Sequence, residues 1–438
     1  MRRLAALLVP ALLLTGCLAA TEGEPEAVAR EGPLPAASWE AVKAALAGVP
    51  CEAAVVGADT SENLKVLGLD PLDDYGAADH GEMAFHTKDN RTLAAVARYS
   101  AGGFDLVDVT DPLAPKHLMT WDPEDGDYGL DLKFTADGAT LVLAGAEQIR
   151  LVDLRDPLAP RQESTFPLDA PQAHLLTVFP VDGVEYVAAS KGENRDLSIF
   201  RIVGEPGNRT LERVARPALT PLGDTERNDL VRSHDTWFEV DPETGTPLLW
   251  VANVWWGILG LDVTDPANPK EVTRMANLDP FQGYVHSVQV THLEGRRLVV
   301  SVQEYGTGAL KVYDATDLKA PHLVALWNLD IPTMPQHNLQ VVGQYAYVAH
   351  FADGLFVFDL TQAGNGPAPT RLSPVAHLAP EGDPPLDAFR YSMFAQYFGP
   401  RDVVIRDGIL WVSETTMGLR TVGFGCLTPG DVAQRSSG

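Results

Sequence analysis

A short run of hydrophobic residues that ends in an aspartate recurs along the chain at intervals of about 45 to 60 residues. The copies are FDLVDVTDPLAP (104–115), IRLVDLRDPLAP (149–160), ILGLDVTDPANP (258–269), LKVYDATDLKAP (310–321) and, more loosely, LFVFDLTQAG (355–364). A repeat of this length is typical of blades and solenoid units, which bury their apolar faces against neighbouring copies. The repeat therefore indicates an array of small, similar units.

Each unit reads as four short strands separated by turns, which is the strand content of one propeller blade. Taking the recurring segment as the third strand gives seven third strands, at 104–109, 149–154, 197–203, 258–263, 310–314, 355–360 and 419–424. The Asp-Pro steps that follow several of them fit type I turns, so we assign those aspartates a structural role. The sequence predicts an all-β fold, a seven-bladed β-propeller over residues 62–426.

The two ends of the chain are expected to meet in the last blade. A fourth strand follows six of the seven third strands, whereas an additional strand is predicted near the N-terminus, within LKVLGLDPLDDYG (64–76). This strand should complete the last blade and close the ring. Cys51 lies shortly before it and Cys426 shortly after the last third strand, so we expect a disulfide between them in an oxidising compartment.

Residues 1–16 have the pattern of a secretory signal peptide, because Arg2 and Arg3 precede an apolar stretch that is too short to span a bilayer. The stretch ends in Leu-Thr-Gly-Cys, which resembles the lipobox of bacterial lipoproteins, where the cysteine is acylated. We expect Cys17 to anchor the protein to the cell envelope. The outer membrane or cell surface is favoured because residue 18 is not aspartate, and the periplasmic side is the alternative. An ordinary signal peptide followed by a chance cysteine is the competing interpretation.

Three further segments lie outside the predicted propeller. Residues 17–37, rich in Ala, Glu, Pro and Gly, are expected to form a flexible tether after the lipidated cysteine. Residues 38–61 should hold a short helix, with Ser38 as its N-cap, and a lead-in to the first strand. Residues 427–438 are a C-terminal tail.

The charge of the chain excludes one class of partner. The formal net charge is −26, from 59 acidic and 33 basic side chains. Nucleic-acid affinity depends on Lys and Arg that neutralise phosphates, so nucleic acid is excluded as a partner. The sequence also lacks G-x-S-x-G, H-E-x-x-H and phosphate-loop motifs, which disfavours acyl-enzyme hydrolases, zincins and nucleotide enzymes.

The motif LxVxDxTDPxxP followed by a strand resembles the LVIVD repeat family of bacterial exported and surface propellers. The match is clear at 104–115 and 258–269, partial at 149–160, 310–321 and 355–360, and absent at 197–208. The resemblance covers about residues 62–426, most of the expected mature chain. It implies a secreted or surface-attached β-propeller and no assigned reaction.

Histidine returns at one position of the repeat. Aligning the predicted first strands on their apolar positions gives the leading residues His80, Leu130, His174, His234, His286, His337 and Arg401. The innermost strand of a blade lines the central channel, so these residues should form a ring at the channel mouth. Converging imidazoles suit Zn, Cu or Fe. The alternative is that duplication copied a histidine that only hydrogen-bonds a backbone carbonyl.

A second set of polar residues is expected on the same face, because the second strand of each blade runs antiparallel to the first. This set consists of Asn253, Glu304, His350 and Glu414. They are candidate binding residues, and solvated loop ends are the alternative. Arg401 is a candidate for holding an anionic ligand or for orienting a neighbouring carboxylate.

These features predict a lipid-anchored binding or scaffold module that takes a protein or small-molecule ligand at a His-lined channel mouth. Any metal, Cu, Fe or Zn, would be held by His174, His234, His286 and His337, with His80 as a fifth candidate. The rival hypothesis is an envelope metalloenzyme, such as a Cu or Fe oxidoreductase. A third hypothesis is a structural part of an assembly, in which the histidine ring affects only stability.

Overall fold

A computed structural model of the chain describes most of the expected propeller. The described residues are 36–49, 63–72, 80–88, 90–99, 101–168, 173–192, 196–217, 219, 232–254, 256–276, 284–304, 308–329, 336–366, 368–379, 399–415 and 418–424. The predicted signal peptide, the lipidation site Cys17, the predicted disulfide partners Cys51 and Cys426, and the C-terminal tail lie outside these residues. No helix in the described ranges is long and apolar enough to cross a membrane.

The described elements are one α-helix, two 3₁₀ turns and 29 strands. The chain begins with α1 (Ala36–Ala45) and β1 (Leu64–Asp70), followed by blade 1 with β2 (His80–Lys88), β3 (Arg91–Arg98), β4 (Phe104–Asp108) and β5 (Lys116–Trp121), blade 2 with β6 (Asp131–Phe134), β7 (Thr140–Ala144), β8 (Gln148–Asp153) and β9 (Arg161–Pro167), and blade 3 with β10 (Leu176–Val181), β11 (Val184–Gly192), β12 (Asp196–Val203) and β13 (Thr210–Ala215). Blade 4 contains β14 (Ser233–Val240), β15 (Pro247–Asn253), β16 (Gly257–Asp262) and β17 (Lys270–Ala276), and blade 5 contains β18 (Val285–Leu293), β19 (Arg296–Gln303), β20 (Leu310–Asp314) and β21 (His322–Trp327). Blade 6 contains β22 (Leu339–Val342), β23 (Tyr345–Ala349), β24 (Leu355–Asp359) and β26 (Pro374–Leu378), with the short strand β25 (Thr370–Arg371) between the last two in the chain, and blade 7 contains β27 (Pro400–Arg406), β28 (Ile409–Glu414) and β29 (Gly418–Phe424). The 3₁₀ turns, Phe351–Asp353 and Leu360–Gln362, flank β24.

The strands form seven sheets, one for each predicted blade. Within a blade the strands lie in chain order and each pairs antiparallel with the next, as β14 to β17 do in blade 4. The first strands of neighbouring blades pack against one another, so the first strand is the innermost. The prediction of an all-β, seven-bladed propeller is confirmed, and all seven third strands lie where the repeat placed them.

The outer strand of blade 7 comes from the N-terminal part of the chain. Strand β1 pairs antiparallel with β29, from Leu64 opposite Phe424 to Asp70 opposite Leu419. Helix α1 begins at Ala36, two residues before the predicted start, and the segment after it lies on β29. A Cβ on Gly423 would come within 2.3 Å of Leu46 Cδ2, so Leu46 packs directly on the backbone of β29.

The hydrophobic core is divided into seven clusters, each lying between two neighbouring blades. Blade 7 packs on blade 1 through Trp411 and Leu419 against Met83 and Phe85. Apolar residues on both faces of each sheet therefore meet a neighbouring blade on each side, which explains why the second and third strands, such as TLVLA and LFVFD, are mostly apolar.

One strand was not predicted from the sequence. Strand β25 belongs to the connection between β24 and β26 of blade 6, but it pairs parallel with β21 of blade 5. It covers the outer edge of blade 5, an edge that would otherwise present unpaired backbone groups. A two-residue strand leaves no periodic signal in a sequence, so only the tertiary structure shows it.

Candidate functional site

Three of the leading residues lie in β-bulges at the start of an innermost strand. The pairing of β14 with β15 goes from Ser233 opposite Asn253 to Asp235 opposite Ala252, so His234 is the extra residue. His286 and Arg401 occupy the same place in blades 5 and 7. A bulge changes the direction in which a side chain points, and bulges are common beside active sites.

Four of the five predicted histidines form a continuous cluster, which we call the histidine cluster: His174, His234, His286 and His337, from blades 3 to 6. The ring centroids are 4.8 Å apart for His174 and His234, 4.2 Å for His234 and His286, and 4.3 Å for His286 and His337. All four side chains are completely buried. The structure thus brings together side chains that are more than 160 residues apart in the chain.

Backbone carbonyls of the next innermost strand orient two of these rings. Nδ1 of His234 lies 3.0 Å from the carbonyl oxygen of His286, and Nδ1 of His337 lies 2.9 Å from that of Arg401. A carbonyl oxygen only accepts, so Nδ1 carries the proton in both rings and the lone pair is on Nε2. This is the arrangement in which a metal-binding histidine is fixed by the hydrogen bond of its other nitrogen.

Glu304 adds a carboxylate to the histidine cluster. Its Oε2 lies 4.0 Å from Nε2 of His286. One ligand atom from each of His234, His286 and Glu304 can be chosen so that all three lie within 4.8 Å of one another. Bonds of about 2.0 to 2.2 Å to a tetrahedral metal would bring such atoms to about 3.4 Å. A modest inward movement of the side chains would therefore complete a three-ligand site.

The protonation state of His337 suits metal binding. Burial lowers the pKa of His337 well below its ordinary value of 6.5, and electrostatic interactions with the neighbouring His286 and Arg401 lower it further. The neutral imidazole is the form that binds a metal. At neutral pH the ring of His337 is therefore already in the ligand form.

His80, the fifth predicted histidine, lies beside an aspartate of its own blade. Its Nε2 is 3.5 Å from Oδ2 of Asp105, and the other oxygen of Asp105 accepts a hydrogen bond from Thr120 at 2.5 Å and lies 3.2 Å from Nε2 of His117. Burial opposes ionisation of this aspartate, but the nearby His80, the hydrogen bond from Thr120 and the charge of Arg98 lower the pKa of Asp105 overall. The sequence signal for this group is a charged residue inside the apolar strand FDLVD.

The residues at the ends of the second strands have different partners. Glu304 joins the histidine cluster, whereas Oε1 of Glu414 lies 3.2 Å from Nε of the buried Arg420. His350 packs on Trp327 and Phe356, at centroid distances of 6.0 Å and 5.7 Å.

Asn253 lies next to the histidine cluster, because it pairs with Ser233, the neighbour of His234. Its side chain is buried, and its amide makes no hydrogen bond to any residue that the structure describes. It is therefore the second of the four strand-end residues that lies at the cluster.

A layer of buried acidic residues follows the histidine cluster along the innermost strands. Asp131, Asp235 and Asp402 come directly after a leading residue, and each accepts a backbone N–H of the next blade: from Leu176 at 2.7 Å, Val288 at 3.2 Å and Met83 at 3.1 Å, respectively. Burial raises the pKa of both Asp235 and Asp402 to about 7, although hydrogen bonds from Ser287 and Asn338 act in the opposite direction.

The acidic layer also contains Glu82, and sequence reasoning missed all four acids. Burial raises the pKa of Glu82 well above 4.5, against the opposing charge of Arg401. The available signal was that the residue after the leading position is Asp in three units and Ser or Asn in two others. Asp131, Asp235 and Asp402 link neighbouring innermost strands through buried hydrogen bonds.

Comparisons with known proteins support the fold. Residues 336–365, which include β22, β23, β24 and His337, match the model of the LVIVD repeat. No curated protein sequence matches the chain.

Three solved structures share the fold at 12% sequence identity. The β-propeller domain of Cps50 (Swd1) from Myceliophteria thermophila has a TM-score of 0.51, covering 85% of this chain and 99% of that one. A chain of a mitotic checkpoint complex has a TM-score of 0.50, with coverages of 86% and 94%. Sqt1 of Saccharomyces cerevisiae has a TM-score of 0.51, with coverages of 81% and 84%. The chain is a seven-bladed β-propeller that carries an LVIVD repeat, as the sequence motif predicted.

Proposed function

We propose that this propeller is a binding module of the bacterial cell envelope that holds a transition-metal ion in the histidine cluster at the mouth of its channel. The observation that carries the proposal is the unbroken contact from His174 through His234 and His286 to His337, with Glu304 beside it. Imidazole is the side chain that Zn, Cu and Fe share as a ligand. A protein or small molecule that enters the mouth would then bind at or beside the metal.

The alternative role, a set of inherited structural histidines, explains less of the geometry. Structural histidines need only one hydrogen bond each, and the carbonyl contacts of His234 and His337 would satisfy that need through Nδ1. The same contacts direct Nε2 of each ring away from the backbone. Burying four imidazoles and a carboxylate together costs desolvation free energy, and a bound metal ion would compensate for that cost.

Metal analysis tests the proposal. The purified full-length protein should bind about one Zn(II) or Co(II) per chain, and the double variant His234→Ala/His286→Ala should bind it at least about a hundredfold more weakly, since it loses two ligands. The control is His322→Ala, which removes an exposed histidine of β21 and should bind like the parent protein. Equal affinity in the double variant and the parent, with both folded, would exclude the metal site.

A second candidate function is an envelope oxidoreductase. Two histidines and one carboxylate with open positions are the donor set of non-haem Fe(II) oxygenases, and His234, His286 and Glu304 supply that set. The Fe(II)-loaded protein should then consume dioxygen in the presence of ascorbate at least about tenfold faster than Glu304→Gln. Equal rates would leave the binding module as the function.

We also propose that Cys17 anchors the propeller to the membrane. The support is the sequence of residues 2–17, a charged start and a short apolar stretch ending in a lipobox-like cysteine. In a bacterial host, Cys17→Ser should move the protein from the membrane fraction to the soluble fraction and abolish labelling by a fatty-acid analogue. A membrane-bound, labelled Cys17→Ser variant would contradict the anchor.

A further inference from the structure

Arg401 occupies the repeat position that carries a histidine in five other blades. We infer that its guanidinium makes the channel mouth a receptor for anions, of which a carboxylate or another planar oxyanion is the chemical class that fits. The inference rests on the channel-mouth site proposed above, and it names the class of ligand which that site takes.

The position of Arg401 places it at the mouth. It is the extra residue of the bulge between Pro400 and Asp402, and its backbone oxygen accepts the hydrogen bond from His337. Its positive charge contributes to the lowered pKa of His337 and opposes the raised pKa of Glu82. The guanidinium is therefore close enough to both His337 and Glu82 to act on them electrostatically.

The packing of the guanidinium leaves its edge as the binding surface. Its central carbon lies 4.8 Å from the ring centroid of Tyr99, so one face is covered by that ring. Tyr99 in turn stacks on Tyr128 at 6.1 Å and an interplanar angle of 20°, and Tyr128 is 49% exposed. The N–H donors lie in the guanidinium plane, so stacking on a face leaves them available for an anion that approaches from the edge.

Electrostatics indicates that this cation needs a partner. Arg401 is only 4% exposed, and its buried Nε makes no hydrogen bond to any residue within the described ranges. A guanidinium stays charged at every physiological pH, and a buried charge without a hydrogen-bonded counter-ion is unfavourable. Glu82 lies within electrostatic range, but its carboxyl accepts a hydrogen bond from Asn338, at 3.2 Å. An incoming anion would supply the missing acceptor.

The ligand class follows from geometry. A guanidinium donates two parallel hydrogen bonds, which match the two oxygens of a carboxylate. A dicarboxylate such as oxalate can make this contact and also supply an oxygen toward the histidine cluster. The aromatic pair of Tyr99 and Tyr128 suits a flat ligand on the route from the surface to Arg401.

Oxalate binding to the full-length protein tests the inference. Titration calorimetry on metal-free protein should show oxalate binding that weakens at least tenfold in Arg401→Gln. It should weaken less in Arg401→Lys, which keeps the positive charge but not the two parallel N–H donors. On Co(II)-loaded protein, oxalate should change the visible spectrum of the metal, and Arg401→Gln should need at least tenfold more oxalate for the same change. Arg155→Gln, which removes an exposed arginine of blade 2, is the control and should behave like the parent.

The outcomes separate this inference from the metal proposal. Oxalate affinity that is absent, or unchanged in Arg401→Gln while Co(II) still binds, overturns the anion site and leaves the metal site intact. Failure to bind Co(II) together with Arg401-dependent oxalate binding overturns the metal site and supports the anion site. Both Arg401 variants keep the backbone oxygen that orients His337, and unchanged circular dichroism and melting temperature would show that they fold.

Discussion

Removal of residues 1–72, which takes away α1 and β1, should prevent the chain from forming a stable propeller. Strand β1 is the outer strand of blade 7, and without it β29 becomes an unpaired edge. Val42, Leu64 and Leu72 are fully or almost fully buried, and each contributes about 2 kcal/mol through burial. The loss of about 6 kcal/mol is comparable to the whole free energy of unfolding of many domains.

The same truncation also removes one polar contact between blade 7 and blade 1, and it removes the strand that lies beside a second one. Oδ2 of Asp70, the last residue of β1, accepts the backbone N–H of His117 in blade 1 at 2.5 Å. Thr421 of β29 donates to the carbonyl of Pro112 at 2.6 Å, close to Gly68 of β1. The N-terminal strand therefore contributes to both blades at this junction.

Thermal unfolding followed by circular dichroism measures the effect. A chain lacking residues 1–35 is the control, because it keeps α1 and β1 and should melt like the full-length protein. The truncation also removes Cys51, so Cys51→Ser in the full-length protein measures how much of the lost stability is due to the expected disulfide with Cys426. A chain lacking 1–72 that melts cooperatively at the temperature of the control would show that β1 is dispensable.

The repeat made the fold predictable because each third strand carries the same physical signature. Alternating apolar residues, an aspartate and a turn recur every 45 to 60 residues or so, and a cyclic array of blades buries all of the apolar faces. Two features escaped this reasoning. Strand β25 is too short to leave a pattern, and Gly260 in ILGLD departs from the repeat because a Cβ there would come within 2.6 Å of Thr273 Cγ2 and 3.1 Å of the buried Trp250.

The candidate site was predictable only where a residue type recurred. Histidine at one repeat position predicted the cluster of His174, His234, His286 and His337, and the antiparallel second strand pointed to Glu304. The repeat does not determine which other residues the end of each second strand contacts. Glu414 pairs with Arg420 and His350 packs on Trp327, and neither contact could be predicted from the repeat position. Asp105 belongs to no recurring type, so its contact with His80 required the three-dimensional structure.

Asp402 should make the protein less stable as the pH rises toward neutrality. It lies in blade 7, accepts hydrogen bonds from Met83 of blade 1 and Asn338 of blade 6, and is completely buried. Burial raises its pKa from 3.8 to about 7, even though the hydrogen bond from Asn338 and the charge of Lys133 favour the ionised form. The folded protein therefore keeps a proton on Asp402 at pH values where the unfolded chain has released it.

The sign and size of the effect follow from linkage. The stabilisation from the bound proton is fully present below about pH 4, and it is lost as the pH rises to about 7, because over this interval the folded state binds more protons than the unfolded state. A raised pKa of roughly three units corresponds to about 4 kcal/mol over the whole interval. Glu82, which Asp402 influences through its charge, should add to the same trend.

Asp402→Asn tests this by removing the titrating group while keeping the shape of the side chain. The variant should lose about 1 to 3 kcal/mol at pH 5, because its amide cannot accept from both Met83 and Asn338 as the carboxyl does. Its melting temperature should then fall less between pH 5 and pH 8 than that of the parent protein. Glu124→Gln, which neutralises an exposed carboxylate, should keep the pH slope of the parent. An Asp402→Asn variant with the full parental slope would mean that Asp402 is ionised in the folded protein, so that another group, with Glu82 the first candidate, sets the dependence on pH.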